Sequence, residues 1–336
     1  MNELYPIKFE PILKEKIWGG KSLVTNYGKK AGNHGLIGES WEISAVSDNL
    51  SVVANGFLKG NNIEEIIEVY MGDITGEKVF EKFGIEFPLL IKLIEASSNL
   101  SVQVHPDDNI AREKHNAWGK TEMWYILEAK PGSRIYSGFK EPINEEIFRK
   151  ALNNGKLPEL LNIEYPRPGD AFFTPAGRIH AIGGGITLVE IQQTSDITYR
   201  IFDWNRNDNN MKPRELHIEL AAESLDYNAC GNALIRKEPV ADKTVNIVES
   251  EYFVTNIIYL KSSLKNDYTF IDSFVIYICV EGRFNIYWDK GIETAVKGET
   301  ILLPAAITEV ILEAMPEAKI LEVFIKSNIK NKHNIS

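Results

Sequence analysis

Residues 169–180, Gly169-Asp-Ala-Phe-Phe-Thr-Pro-Ala-Gly-Arg-Ile-His180, form the most informative stretch of this chain. A glycine and an acidic residue open it, four mostly apolar residues follow, and Pro-Ala leads to a polar residue at the end. The same arrangement recurs at residues 298–309, Gly298-Glu-Thr-Ile-Leu-Leu-Pro-Ala-Ala-Ile-Thr-Glu309. Each copy is typical of a turn into a short strand, followed by a second turn into another strand. We therefore predict two related β units, of which the first carries His180 and the second has Glu309 in its place.

Outside these two stretches the dominant pattern is the alternation of apolar and polar residues that is typical of strands. It is clear at 100–104, 270–280, 283–288, 301–304 and 307–312, with a turn predicted at Glu281-Gly282. Helical patterns are confined to three segments, 63–71, 144–153 and 215–224. Many short strands with a few helices predict a mainly β protein with a barrel or sandwich core and a small helical part.

Composition excludes several classes of protein. The 336 residues are 44% hydrophobic and 25% charged, which is ordinary for a soluble globular chain of about two or three domains or lobes. The 37 Lys plus Arg against 47 Asp plus Glu give a net charge of −10. A duplex-binding protein needs a basic surface, so a nucleic-acid partner is not expected. An anionic substrate would need a local basic pocket.

The sequence also predicts a cytoplasmic location without a membrane partner. Cys230 and Cys279 form no CxxC pair and no disulfide framework, which favours a reducing compartment. The first twenty residues lack the apolar region of a signal peptide. The longest apolar stretch, 87–94, is interrupted by Lys92 and is too short to cross a bilayer.

Two histidines and one carboxylate are candidate metal ligands. Gln103 and His105 lie two residues apart in an alternating segment, so both side chains project from the same face of a strand. Glu122 begins the next apolar run, and His180 ends the stretch quoted first. Such a set suits zinc with an open position, and equally non-haem iron or manganese. The alternative for Gln103 and His105 is a sheet edge with one solvated face.

Arg200 and Lys92 stand within strand-like apolar runs, and Lys120 lies two residues before Glu122. An inward Arg200 must be paired or must bind an anion, and its alternative is a structural ion pair with Glu190 or Asp203. Lys92 and Lys120 pose the same question, and the alternative for each is a snorkelling side chain.

At these residues the chain resembles the type I phosphomannose isomerases, in particular the short bacterial form. The Gly169 to His180 stretch matches the second sequence motif of the cupin β-barrel superfamily, whereas the first cupin motif is only partly kept. Five segments carry the family resemblance over almost the whole chain: Trp18-Gly-Gly, 38–44 (GESWEIS), 100–108 (LSVQVHPDD), 119–125 (GKTEMWY) and 169–206.

The resemblance implies a fold and a site. It implies two cupin-like β-barrel or jelly-roll units, a catalytic one at 1–225 and a degenerate one at 226–336 that lacks metal ligands. It also implies one zinc ion held by His105, Glu122 and His180, with Gln103 as a fourth ligand in larger members. The family's active-site arginine falls on Arg200, and the lysine before the metal-binding glutamate falls on Lys120.

The reaction implied is the interconversion of mannose 6-phosphate and fructose 6-phosphate by proton transfer between C1 and C2 through an enediolate. Candidates for the general base are Glu190, Lys120 and a metal-activated water. Lys92 and Ser101 are candidate phosphate ligands. Two alternatives stay open: another metal-dependent cupin enzyme, such as an Fe(II) dioxygenase, and a non-catalytic sugar-binding cupin. The basic residues favour a phosphorylated substrate over redox chemistry.

Overall fold

The computed structural model describes residues 3–30, 32, 35–207, 212–229 and 231–326. These residues form a mainly β protein, as predicted. In chain order the strands are β1 (Ile7–Lys8), β2 (Ile12–Gly20), β3 (Ile37–Ile43), β4 (Leu89–Ala96), β5 (Val102–Val104), β6 (Glu122–Ala129), β7 (Ile135–Phe139), β8 (Leu161–Glu164), β9 (Ala171–Thr174), β10 (His180–Ile182), β11 (Ile186–Gln193), β12 (Tyr199–Phe202), β13 (Leu234–Ile235), β14 (Thr244–Glu249), β15 (Val254–Leu260), β16 (Ser263–Asp267), β17 (Val275–Trp288), β18 (Gly291–Val296), β19 (Thr300–Leu303) and β20 (Glu309–Phe324). The helices are α1 (Ser22–Tyr27), α2 (Ile63–Tyr70), α3 (Gly72–Thr75), α4 (Glu77–Phe83), α5 (Asp108–His115), α6 (Glu145–Asn153), α7 (Leu157–Leu160) and α8 (Ile218–Ser224).

The chain divides into two compact units. The central unit comprises Pro11–Asn49 and Leu89–Lys237, and the terminal unit comprises Met1–Glu10, Leu50–Pro88 and Glu238–Ser336. The sequence predicts a simple division into 1–225 and 226–336. The structure differs because two N-terminal segments belong to the same unit as the C-terminal third: β1 pairs with β19, and Phe9 bridges to Val53.

The central unit is built from two antiparallel sheets. A seven-stranded sheet has the order β13-β9-β6-β11-β4-β3-β2, and a five-stranded sheet has the order β12-β5-β10-β7-β8. The sheets share a buried apolar cluster to which β6, β9 and β11 contribute from the larger sheet and β7 and β10 from the smaller one. The outer face of the five-stranded sheet packs against α6, α7 and α8. Val102 and Val104 point to that outer cluster, so Gln103 projects to the opposite, inner face as the alternation predicts.

The terminal unit contains an eight-stranded sheet organised around two long strands, β17 and β20, which pair from Val275–Phe324 to Tyr287–Ile311. The predicted turn at Glu281-Gly282 is wrong, because β17 runs straight through these residues with irregular pairing to β20 on both sides of them. Gly282 has a φ of 74°, which is a bulge conformation that glycine adopts readily. Glycine beside a polar residue is therefore a signal common to turns and bulges.

The two similar stretches of sequence fold alike. Gly169 and Gly298 have φ angles of 91° and 90°, β9 and β19 follow at the same offset, and β10 and β20 begin at His180 and Glu309. The two final residues nevertheless point to different environments, because the side chain of His180 is 1% exposed and that of Glu309 is 57% exposed. Glu309 forms an ion pair with Lys265, at 2.6 Å. Glu309 therefore occupies the position equivalent to His180 in the second stretch, but its side chain does not point into the interior of the terminal unit as that of His180 points into the interior of the central unit.

Two of the three predicted helices are close to their predicted bounds, and the third is shorter. Asn144 caps α6 by accepting a hydrogen bond from the Ile147 backbone at 2.9 Å, and Asn62 forms a capping box with Glu65 at α2. The segment predicted as 215–224 becomes helical only at Ile218, because the preceding residues bind to β12. Five described helices, α1, α3, α4, α5 and α7, were not predicted.

Two further observations concern the helices and the cysteines. None of the described helices is long and apolar enough to cross a membrane. Cys279 is a buried free thiol in β17, and Cys230 lies outside the described residues.

Candidate metal centre and active site

His105, Glu122 and His180 converge inside the central unit. His105 Nε2 lies 3.4 Å from Glu122 Oε2, and His180 Nε2 lies 3.4 Å from Glu122 Oε1. Each of the three residues offers one candidate ligand atom, and these three atoms lie within 4.8 Å of one another. All three side chains are buried. The predicted triad is therefore brought together from three separate segments of the chain.

The two sheets hold these residues from opposite sides. Glu122 begins β6 in the seven-stranded sheet, whereas His180 begins β10 in the five-stranded sheet. Gln103 of β5 is directly opposite His180, and Arg200 of β12 is directly opposite Gln103. Directly opposed residues share a face of a sheet, so Arg200, Gln103 and His180 form a row across the inner face. Gln103 Nε2 lies 3.2 Å from His180 Nε2.

Backbone carbonyls fix the orientation of both imidazoles. The Nδ1 atom of His105 is 2.9 Å from the carbonyl oxygen of Ile197, and that of His180 is 2.8 Å from the carbonyl oxygen of Arg178. Since a carbonyl only accepts, each Nδ1 carries the hydrogen and each Nε2 presents its lone pair to Glu122. Burial, together with the charge of Lys120, lowers the pKa of His180 to about 4 and that of His105 well below its ordinary value. Both rings are therefore neutral at pH 7.

The polar atoms at the centre of this group lack hydrogen-bond partners. Among the described residues, His105 Nε2 and both carboxylate oxygens of Glu122 are buried without a hydrogen bond. Burial raises the pKa of Glu122 to about 7, against the opposing charge of Lys120. Two imidazole nitrogens that converge on a carboxylate, with the His105 nitrogen and both carboxylate oxygens unpartnered among the described residues, suit a divalent cation. The donor set thus fits the metal that the sequence predicts.

A buried ion pair lies beside the triad on the seven-stranded sheet. Lys92 of β4 donates to Glu190 Oε1 at 2.9 Å and to Gln192 Oε1 at 2.7 Å, and it is 5% exposed. Trp124 Nε1 donates to Glu190 Oε2 at 3.0 Å. Burial alone would raise the pKa of Glu190, but the charges of Lys92 and Lys120 outweigh it and lower the pKa to about 2. Glu190 is therefore ionised, and both of its oxygens already accept hydrogen bonds.

The other predicted site residues lie near the triad to different degrees. Lys120 is buried, with Nζ 3.3 Å from Glu122 Oε2. Ser101 is buried just before β5, and none of the described hydrogen bonds joins its side chain to another site residue. The sequence does not identify Trp124 as a donor to Glu190 or Gln192 as an acceptor from Lys92. These contacts depend on strand pairing, in which Trp124 is opposite Glu190 and Gln192 is opposite Glu122.

Arg200 keeps a free donor. Its Nη1 donates to the carbonyl oxygen of Glu215 at 2.9 Å, while its Nε is buried without a hydrogen-bond partner among the described residues. Neither ion pair considered as an alternative forms at this guanidinium. Glu190 pairs with Lys92, and Asp203 pairs with Arg206 and Arg214.

Comparisons with known proteins agree with this geometry. The family model for the phosphomannose isomerase type I catalytic domain matches residues 7–131. The mannose-6-phosphate isomerase ManA of Bacillus subtilis strain 168 is 34% identical over 320 residues, which cover 93% of this chain and 97% of that relative. The chain belongs to the type I phosphomannose isomerase family. A mannose-6-phosphate isomerase of Streptococcus mutans serotype c is 34% identical over 90% of this chain and 93% of its own length. A crystal structure of the mannose 6-phosphate isomerase from Bacillus subtilis matches with a TM-score of 0.80 at 30% identity, over 95% of this chain and 99% of the other.

Membership of the type I phosphomannose isomerase family confirms three predictions from the sequence. The fold is the cupin fold of the matched phosphomannose isomerase structure. The chain is an aldose-ketose isomerase of this family, whose reaction interconverts mannose 6-phosphate and fructose 6-phosphate. The family is metal-dependent, and the chain has a three-residue group that can hold the metal. The dioxygenase and sugar-binding alternatives lose their support.

Proposed function

We propose that this chain interconverts mannose 6-phosphate and fructose 6-phosphate at the His105, Glu122 and His180 group, with one zinc ion per chain. The observation that carries the proposal is the convergence of three buried ligand residues, of which His105 Nε2 and both Glu122 oxygens lack hydrogen-bond partners among the described residues. When bound, zinc would act as a Lewis acid that stabilises negative charge developing on the substrate's C1 and C2 oxygens. Gln103 would be a fourth ligand if its amide turned to present Oε1 in place of Nε2.

We assign Arg200 to the stabilisation of the enediolate. Its Nε is a buried donor without a partner in the described part of the chain, and a substrate oxygen would satisfy it. Arg200 stands in the same row as Gln103 and His180 across the inner face of the five-stranded sheet. A charged donor aimed at a developing oxyanion in a water-excluded site contributes a large share of catalysis.

Of the two side chains considered as general base, we favour Lys120. Glu190 is a poor base because the pKa of its carboxyl is lowered to about 2 and because Lys92 and Trp124 occupy both of its oxygens. Lys120 lies beside the triad, and its only ion pair among the described residues is with Glu122. As the general base, Lys120 Nζ would take the proton that leaves the substrate carbon. We assign Glu190 the role of a fixed counter-charge that keeps Lys92 and Trp124 in place.

The candidate phosphate ligands remain those of the sequence prediction. Ser101 is buried and lies two residues before Gln103, at the entry to β5. Lys92 donates to Glu190 and Gln192, and the charge of Glu190 balances its own, so of the two predicted phosphate ligands we favour Ser101. A cytoplasmic location, where soluble sugar phosphates occur, stays a prediction of the sequence.

A coupled assay of fructose 6-phosphate formation from mannose 6-phosphate, before and after chelation and after zinc is restored, tests the proposal. We expect activity to vanish with the chelator and to return with zinc. Activity that is unchanged by the chelator would refute the proposed role of the metal. If the zinc-loaded protein has no activity, the proposed substrate is refuted. Arg200→Ala should lower kcat by about a hundredfold with unchanged zinc content, the usual scale for one lost oxyanion donor.

Hydrogen exchange separates the two candidate bases. Lys120→Met should abolish incorporation of solvent deuterium at the substrate carbon. Glu190→Gln should keep measurable incorporation, because we assign no proton transfer to that carboxylate. The reverse pattern would show that Glu190 takes the proton.

A further inference from the structure

We propose that His217 is a positioning residue that holds Arg200 in its catalytic orientation. Two hydrogen bonds join these residues: the Arg200 backbone N–H donates to His217 Nδ1 at 3.1 Å, and the His217 backbone N–H donates to the Arg200 carbonyl oxygen at 2.7 Å. His217 thus binds both polar groups of the Arg200 backbone. The inference rests on the proposed role of Arg200.

The location of β12 explains why such a clamp is needed. β12 is an edge strand of the five-stranded sheet, and its only neighbour in that sheet is β5. Since both backbone groups of Arg200 face His217, its pairing with Gln103 is of the non-hydrogen-bonded kind, in which side chains approach closely. The pairing with β5 also becomes irregular between Arg200 and Phe202. Without His217, no described residue would fix the backbone of Arg200 at this point.

The same short segment also holds the guanidinium. The carbonyl oxygen of Glu215 accepts from Arg200 Nη1 at 2.9 Å, so residues 215–217 bind Arg200 at its backbone and at the end of its side chain. The segment is itself fixed, because His217 directly precedes α8, whose residues Ala221 and Ala222 are buried against the sheet. Among the described residues, Nε of Arg200 remains a buried donor without a hydrogen-bond partner.

The imidazole contributes one specific atom. The unprotonated Nδ1 of His217 accepts the hydrogen bond from the Arg200 backbone N–H. A hydrocarbon side chain has no acceptor to replace it, and a side chain whose acceptor lies one bond further from its own Cα would hold that acceptor in the wrong place. Asparagine places Oδ1 at the same distance from the backbone as histidine places Nδ1. Leucine has the shape of asparagine without an acceptor, and glutamine has the acceptor at the wrong position. The chain therefore offers a matched series at a single residue.

The experiment compares His217→Asn, His217→Leu and His217→Gln in the zinc-loaded enzyme. We expect His217→Leu and His217→Gln to lower kcat about tenfold, the value of one lost hydrogen bond of ordinary strength. KM should change less than kcat, and zinc content should stay at the level of the unmodified enzyme. His217→Asn should restore kcat to within about threefold of that enzyme. If His217 served folding alone, the variants would lose thermal stability, but His217→Asn would not have a higher kcat than His217→Leu and His217→Gln. Equal kcat values in all three variants would overturn the inference.

A double variant identifies the residue through which His217 acts. In an Arg200→Ala background, His217→Leu should cause no further loss of kcat, because the guanidinium that His217 positions is already absent. A further tenfold loss would overturn the inference, since His217 would then act elsewhere. Near-normal kcat in Arg200→Ala alone would instead refute the proposed role of Arg200, which separates the two failures. If His217→Leu does not fold, the comparison of His217→Gln with His217→Asn tests the same inference.

Discussion

The ion pair of Lys92 and Glu190 allows a quantitative test of the charge arrangement around the metal group. The change is Lys92→Met, which keeps the length of the side chain and removes its charge. The pKa of Glu190 is lowered from 4.5 to about 2, chiefly by Lys92 acting against the effect of burial. At about 1.4 kcal/mol for each tenfold change in proton affinity, this difference corresponds to about 3 kcal/mol of folding free energy at pH 7. Removal of one member of a buried ion pair has a similar effect, about 3–5 kcal/mol.

The sign of the pH dependence follows from the direction of the pKa change. Because folding lowers the pKa of Glu190, its contribution to stability is present above pH 4.5 and is lost as the pH falls toward about 2. Lys92→Met removes the largest of the effects that lower this pKa while burial still raises it, so the carboxyl of the variant protonates at a higher pH than that of the unmodified protein. The double variant Lys92→Met/Glu190→Gln carries no buried charge at this position and imitates that protonated state. It should therefore be more stable than Lys92→Met at pH 7, and the two should converge as the pH falls below about 5.

Urea unfolding of the metal-free proteins, followed by tryptophan fluorescence, measures these differences. Five of the six tryptophans lie in the central unit, so the signal reports mainly on that unit. A loss of less than about 1 kcal/mol in Lys92→Met would contradict the importance of this ion pair. A double variant less stable than Lys92→Met at pH 7 would contradict it as well, because the penalty of an unpaired buried charge would then be absent.

Two further predictions concern the terminal unit. Gly282→Ala should lower the free energy of unfolding by about 2 kcal/mol or more. Gly282 has a φ of 74°, and an added Cβ would lie 2.0 Å from the carbonyl oxygen of Glu317. An unchanged melting temperature would show that the bulge tolerates a side chain. Tyr268→Phe should cost about 1–3 kcal/mol with kcat unchanged, because the Tyr268 hydroxyl donates to the buried Glu322 at 2.5 Å and accepts from Asn266 at 2.8 Å. Tyr287→Phe is the matched control: it removes a hydroxyl that bonds to Glu313 at an exposed position, and an equal loss in both variants would contradict the importance of burial.

The sequence was most informative where a strand pattern and a functional pattern coincide. Alternation alone placed Gln103 on the inner face, and the family resemblance selected His105, Glu122 and His180 from residues far apart in the chain. Neither source could pair the strands, so neither could show that the Lys92 and Trp124 side chains share one buried carboxylate. The choice between a snorkelling and a functional lysine depends on tertiary neighbours that no local pattern encodes.

The features that the sequence does not predict have local physical reasons. Helix α5 begins with the capping residue Asp107, but only Ala111 among its residues is buried, so no apolar stripe marks it. The sequence predicts a turn at Gly282 because glycine serves turns and bulges through the same positive φ. His217 carries no signal, because its partner is the backbone of a residue 17 positions earlier.

The row of Arg200, Gln103 and His180 across one sheet face limits how the length of this chain can change. Side chains alternate between the two faces of a strand, so deletion of one residue within β5 or β12 would turn the following functional groups toward the outer face. A deletion at the start of β5 would remove both Gln103 and His105 from the active site at once, whereas a point substitution removes only one group. Insertions and deletions in relatives should therefore fall in the connections between strands, such as the segment between β7 and β8 that contains α6 and α7, and the spacing within β5 and β12 should be constant.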